Sequence, residues 1–314
     1  MGKIDTHHHF VAPTYRRYLA DVGYFGGQPT PAWSPEASLQ LMDELGISFS
    51  VLSTARPGFY FGDQAAAAAM AREVNEYAAG LARERPDRFG FFAALPLPGI
   101  DDALEELAYA VDVLKCDGVV LLANQEGTYL GDAELNPVME ECHRRSLVVF
   151  VHPNALPAAS PVPGVPPFVV DFLLDTTRAA LNLVRHGCLQ RYSSAKFLLA
   201  HGGGFLPYAA HRIAHMTPPV TPDAPATPEE FLAACRSFYF DTALTASPSS
   251  LPSLLNFAAP GHITYGSDFP YAPVGLPAFF TDQLNNENEV VSDVLPGIEN
   301  QTAFELLPRL KEFA

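Results

Sequence analysis

Asp5-Thr6-His7-His8-His9, a few residues from the amino terminus, carries the clearest chemistry in the sequence. If residues 3–10 form a β-strand, side chains alternate faces with a period of two. His7 and His9 then project from one side, and His8 from the other. Two imidazoles on one face can hold one divalent cation by adjacent bonds, and imidazole is the commonest metal ligand. An appended affinity tag would be longer and would precede the native start. This run is instead embedded in the pattern Ile-Asp-x-His-x-His-Phe.

Further ligand types stand at the ends of apolar runs. Val148-Val149-Phe150-Val151-His152-Pro153 and Phe197-Leu198-Leu199-Ala200-His201-Gly202 each finish on histidine, and Ile263-Thr264-Tyr265-Gly266-Ser267-Asp268 finishes on a carboxylate. Taken singly, a histidine after a strand is more often a satisfied loop residue, and an aspartate before Phe-Pro is often a turn former. Together they need elements that bring them to one place. Short apolar runs predict strands over 4–10, 49–54, 89–95, 118–123, 147–152, 196–201, 237–242 and 263–268. Amphipathic stretches over 35–45, 65–84, 100–114, 134–145, 172–186, 205–215 and 250–257 predict helices between them. Ser34-Pro35-Glu36 reads as an N-cap with proline in the first turn. Eight such alternations predict a distorted (β/α)8 barrel, α/β in class, with extra carboxyl-terminal helices outside it. Residues 1–314 then form a single barrel domain.

In such a barrel the carboxyl ends of all strands converge on one mouth. His7, His9, His152, His201 and Asp268 meet there. Mixed imidazole and carboxylate ligands suit zinc, with manganese or iron as alternatives. His7, His9, His152 and Asp268 are read as the metal ligands, and His201 is left for acid–base work or for orienting a ligand. The run from Gly118 to Asn124 has no lysine at its mouth end, and Lys115 lies before it. A second metal bridged by a modified lysine is therefore not expected.

Two proline-rich segments, 153–167 and 216–228, read as ordered loops above the mouth, where loops carry function. The 314 residues are 48% hydrophobic, enough for one large core, and the formal net charge is −16. That charge speaks against nucleic acid, whose phosphates need a basic footprint, and an anionic substrate would need local cations. Four scattered cysteines with no Cys-x-x-Cys pair suit a reducing cytoplasm. No stretch approaches 18 uncharged apolar residues, and the start has no apolar signal core. The expectation is a soluble cytoplasmic protein that does not engage a membrane.

The motif set resembles the amidohydrolase superfamily, in the branch of 2-amino-3-carboxymuconate 6-semialdehyde decarboxylase and related aromatic-acid decarboxylases. Ile4-Asp5-Thr6-His7-His8-His9, Phe150-Val151-His152-Pro153, Leu199-Ala200-His201-Gly202-Gly203-Gly204, Phe240-Asp241-Thr242-Ala243 and Tyr265-Gly266-Ser267-Asp268-Phe269-Pro270 carry it. Within the branch the chain is most similar to 6-methylsalicylate decarboxylases, on the run from Phe89 to Pro98 and on that from Asp241 to Pro248. The resemblance implies one divalent metal on His7, His9, His152 and Asp268, with His201 catalytic. It also implies an arginine donated across a dimer interface to the substrate carboxylate, which here is Arg212; the bare residue reads equally as a solvated helix position. A second carboxylate arginine of the muconate-type members finds no match between Gly23 and Ser34, where Tyr24 and Trp33 stand. A monocarboxylate with an apolar ring is favoured. Arg56 is a conceivable substitute, and a surface role is expected for it.

A 2-hydroxybenzoate could chelate the metal through its phenolate and one carboxylate oxygen. A carboxylic acid, Asp268 first, would protonate the ring carbon, with His201 orienting it or donating instead. No redox cofactor is called for, and Gly202-Gly203-Gly204 is too weak a signal for a nucleotide site. Phe59, Tyr60, Phe61, Phe205, Tyr208 and Tyr271 suit stacking on a ring, about half of them serving packing only; Phe205 and Tyr271 are named with Arg212 as substrate contacts. The rival reading is a metal-dependent hydrolase, a lactonase or amidohydrolase using the same ligands to activate water. A non-enzymatic metal-held module is a third, disfavoured by the spare histidine.

Overall fold

The computed structural model of the chain describes residues 2–24, 30–160, 162–286 and 289–312. Eight strands lie where the apolar runs predict them: β1 (Lys3–His9), β2 (Ile47–Ser53), β3 (Phe89–Ala94), β4 (Gly118–Leu122), β5 (Val148–His152), β6 (Lys196–Leu199), β7 (Tyr239–Asp241) and β8 (Ile263–Thr264). All pair in parallel and in chain order. Two isolated parallel bridges, Asp5↔Tyr265 and His8↔Phe269, bring the last strand against the first. The barrel thus closes at an irregular seam, as a distorted member of the predicted fold. The strands bury bulky side chains on both faces, with Phe49, Phe89, Phe91, Phe150 and Phe240 at or near zero exposure.

Helices α1 (Pro13–Asp21) and α2 (Pro35–Leu45) follow β1, and α3 (Gln64–Glu84), α4 (Ile100–Tyr109), α5 (Asn136–Arg144) and α6 (Asp171–Arg185) follow the next four strands. Then α7 (Leu206–Met216) and α8 (Pro228–Arg236) follow β6, α9 (Ser250–Phe257) follows β7, and α10 (Leu276–Asn285) follows β8. The Ser34 hydroxyl accepts from the Ala37 amide, so α2 starts as its sequence predicts. Two helices were not anticipated. Helix α1 buries only Tyr15 and Leu19 and carries two arginines, too thin a stripe to read. Helix α8 was legible: Thr227 and Glu230 form a reciprocal capping box ahead of a buried Phe231-Leu232 face.

Three placements differ from expectation. The sixth run turns after Leu199 and the eighth after Thr264, so His201 and Asp268 stand on turns and not in strands. Residues 216–228 do not cover the mouth. The Val220 amide donates to the Arg185 carbonyl and the Thr221 hydroxyl to the His186 carbonyl, at the carboxyl end of α6. A segment that follows a returning helix opens at the amino ends of the strands, which is the wrong pole. The carboxyl-terminal region is divided: Ile298, Ala303, Leu306 and Leu310 pack on the core, while Leu276 and Phe280 of α10 face the interior cavity described below.

The seam rests on Asp5. Fully buried, it accepts from the His7 amide (3.1 Å), the Ser267 amide (3.1 Å) and the Ser267 hydroxyl (2.6 Å), and it pairs with His8 Nδ1 (2.9 Å). His8 completes this by turning away from His7 and meeting the Ser38 hydroxyl at 2.9 Å. Asp5→Ala strands several buried donors at once, and unfolding in urea is expected to show a loss of about 3 kcal/mol. A loss below roughly 1 kcal/mol would mean the seam is held elsewhere.

Candidate metal centre

Strand parity delivers the first pair. His7 and His9 share the inner face of β1, with their Nε2 atoms 3.0 Å apart. His152 is the last residue of β5, and its ring lies 5.5 Å from that of His7 and 4.8 Å from that of His9. Asp268 Oδ1 stands 3.4 Å from His7 Nε2 and 3.3 Å from His9 Nε2. One ligand atom from each of His7, His9, His152 and Asp268 falls within 4.8 Å of all the others, and all four residues are buried. This is a metal-binding site, made of the residues read from the sequence.

The far nitrogen of each imidazole is engaged, which assigns the tautomers. His7 Nδ1 donates to Asp241 Oδ2 at 2.7 Å, His9 Nδ1 to the Ser53 carbonyl at 3.2 Å, and His152 Nδ1 to the Pro153 carbonyl at 2.9 Å. Each Nε2 lone pair is thereby left for a cation, as carboxylate– and carbonyl–histidine pairs do around metals. Asp241, on β7, has no role predicted from the sequence. Its other oxygen accepts from the amides of His201 (2.9 Å) and Ala243 (2.9 Å). Its signal was available: a lone carboxylate ending a buried strand needs partners.

Backbone geometry supports the approach. His201 (φ 54°) and Asp268 (φ 58°) both adopt left-handed conformations, uncommon outside glycine and tolerated best by Asn, Asp and His. Gly266 lets β8 close on β1: a Cβ there would stand 2.8 Å from His7 Cβ and 3.2 Å from Asp241 Cβ.

Electrostatics favour a cation. Burial pushes the His7 pKa down, but the charge and hydrogen bond of Asp241, reinforced by Asp268, raise it to about 10. Burial dominates for His9, whose pKa is lowered, and for His152, which falls well below the ordinary value. For Asp268 burial favours the neutral acid, yet hydrogen bonds from His201, His7 and His9 hold it well below the usual carboxylate range. A pocket that pulls a proton onto a buried imidazole and offers further lone pairs beside it suits a divalent ion. His201 lies just outside the ligand set, with Nε2 3.4 Å from Asp268 Oδ2 and a buried Nδ1 that has no hydrogen-bond partner among the described residues.

A cavity of about 390 Å³ opens above the site, within the size range of small-molecule pockets. His152, His201, Asp268 and Tyr271 form its floor, while Phe168, Phe172, Leu173, Leu276 and Phe280 supply apolar walls. Phe168 and Phe172 lie just past segment 153–167, none of whose described residues lines the cavity. Of the six aromatics named for stacking, only Tyr271 lines this cavity; Phe59 is core, and Phe205 and Tyr208 are exposed. Arg212 is exposed on α7 and lines no part of it. Arg56, expected at the surface, lines the cavity instead. The walls escape sequence reading because they come from the turn and helix start after β5 and from a late helix, with no shared pattern.

A model of the Amidohydrolase family matches residues 4–306. The chain belongs to that family. It is 38% identical to the 6-methylsalicylic acid decarboxylase of Penicillium expansum, over 99% of its own length and 98% of that protein. It is 39% identical to decarboxylase yanB of Aspergillus niger, over 99% of this chain and 89% of the other. Its fold matches the crystal structure of 2,6-dihydroxybenzoate decarboxylase complexed with 2,6-dihydroxybenzoate with a TM-score of 0.79, at 25% identity, covering 98% of this chain and 99% of that one. Within the family the chain is a decarboxylase, a carboxy-lyase.

Asp241→Ala should free the His7 ring and lower metal affinity roughly 10–100-fold. Competition against a chromophoric chelator measures this, with circular dichroism confirming the fold. Unchanged affinity would remove Asp241 as the residue that orients His7.

Proposed function

We propose that the chain catalyses non-oxidative decarboxylation of a 2-hydroxybenzoate of the 6-methylsalicylate kind, using one divalent ion on His7, His9, His152 and Asp268. The observation that carries this reading is the three-histidine, one-carboxylate cluster at the floor of an apolar cavity sized for a single-ring acid. The 6-methylsalicylic acid decarboxylase at 38% identity supports that choice of ring. Zinc is the metal of the proposal, with manganese the alternative; mixed nitrogen and oxygen ligands accept either. Such an ion supplies Lewis acidity and a template for neighbouring carboxylate and hydroxyl oxygens.

The protein's own part is the proton. A C–H bond forms at the ring carbon that bears the carboxylate, the C–C bond breaks, and its electron pair restores aromaticity as CO2 leaves. The sum consumes one proton and no oxidant. Asp268 is the first candidate donor, and it sits in the floor of the cavity. Because its carboxyl is held ionised, the proton it delivers must first be taken up. His201, 3.4 Å away, is the group that can exchange it or donate in its place.

The proposal includes a homodimer. Phe205, which caps α7, and Tyr208, Arg212 and Met216 along it recur at helical spacing, and Tyr208 and Met216 are 88% and 67% exposed. A partner packed on this face would carry Arg212, with Phe205 beside it, toward the neighbouring cavity. The protein is placed in the cytoplasm, which four free cysteines support, three of them buried. Among the described residues no helix is long and apolar enough to cross a membrane.

Chelation should abolish CO2 release from 6-methylsalicylate and added zinc or manganese should restore it. Asp268→Asn should stay at least about 100-fold below wild type even in metal excess. Trapped gas with an arene product supports the reading, whereas a ring-opened acid without gas makes the chain a hydrolase. Sedimentation should give a dimer, and Arg212→Ala should raise KM for the acid. A monomer of full activity would remove the partner arginine.

A further inference from the structure

Arg56 is a cation beside the apolar walls of the chamber. Three residues past β2, it lines the cavity together with His152, His201 and Asp268. Its guanidinium carbon lies 5.4 Å from the centre of the Phe172 ring and 5.9 Å from that of Tyr24. Contact with two rings orients a planar cation without neutralising it. Arg56 Nε is buried and has no hydrogen-bond partner among the described residues, and the same is true of the nearby Tyr24 hydroxyl. The contrast with Arg16 is informative, since that guanidinium donates to the Thr30 and Pro31 carbonyls.

Charge balance narrows the purpose. Asp268 is the only acid among the described residues that line the cavity, and its oxygens face His7, His9 and His201. Arg56 is the only arginine or lysine among those described residues, in a chain whose net charge of −16 repels anions. A partly buried charge with an unpaired N–H is costly to keep unless something pairs with it. The match for a guanidinium fork is a carboxylate.

We propose that Arg56 is a substrate-binding residue that grips the carboxylate of the aromatic acid from within the same chain. This rests on the decarboxylase reading and adds to it a cation supplied by the subunit that holds the metal site. The contact exists before CO2 leaves and is lost once it has gone. Arg56 therefore favours acid over product, and the phenol is released without having to break a charged pair.

The test compares two ligands on metal-loaded protein by calorimetry: 6-methylsalicylate, in the Asp268→Asn background so that it is not consumed, and 3-methylphenol, its carboxylate-free counterpart. Arg56→Met should weaken the acid roughly 10–100-fold and leave the phenol unchanged, and Arg56→Lys should recover part of the loss. Equal losses for both ligands would show that Arg56 only shapes the wall, and an unaffected acid would remove it from the site; either result overturns the assignment. Failure of the wider reading looks different. Protein with intact Asp268 that evolves no CO2, yet binds the acid through Arg56, would end the decarboxylase proposal and leave Arg56 in place.

Discussion

The site depends on a backbone hydrogen bond. The Asp268 amide donates to the His7 carbonyl at 2.8 Å, across the irregular junction where the last strand meets the first. The Thr6 amide, donating to the Tyr265 carbonyl at 3.0 Å, holds the same junction just before it. These bonds place a carboxylate from residue 268 beside imidazoles from residues 7 and 9, ends of the chain that no local interaction could join. Parallel strands usually bring loops to a barrel mouth; here closure itself assembles a ligand set. The short eighth strand follows from this, because a fully paired strand would not leave Asp268 free to turn inward with φ 58°.

Around that junction lies a shell of groups whose work is orientation. Asp5 ties β1 to the turn after β8, and Asp241 ties the His7 ring to the His201 backbone. Both carboxylates are fully buried, and burying them is costly unless each lone pair is used. Both use nearly all of theirs. A metal ligand placed this way loses little freedom on binding its ion, which is the advantage of building a site on strands and not on loops.

The chamber above divides its labour unevenly. Its floor is polar and rigid, and its walls are Phe168, Phe172, Leu173, Leu276 and Phe280, drawn from the segments after β5 and β8. Rigid chemistry therefore sits under a cover that can vary, a separation typical of this barrel architecture. Arg56 and Tyr24 stand within the cover and not in the floor, so they bear on which acid is admitted.

Much of this was legible beforehand. Alternation over 3–10, the histidine ending 147–152, and the Ser34-Pro35 and Asp268-Phe269-Pro270 signals are local, with periods and caps set by backbone geometry alone. They carried the eight strands, the barrel and the four ligands. Tertiary structure decided what depends on distance through space: that residues 216–228 lie at the far pole, that Asp241 steers His7, and that Leu276 and Phe280 turn inward. It also decided that Arg56 faces a cavity while Arg212 faces outward. A side chain's type and strand parity are written in its neighbours along the chain. Which partner it meets, and whether that meeting excludes water, is settled only when distant segments close on one another.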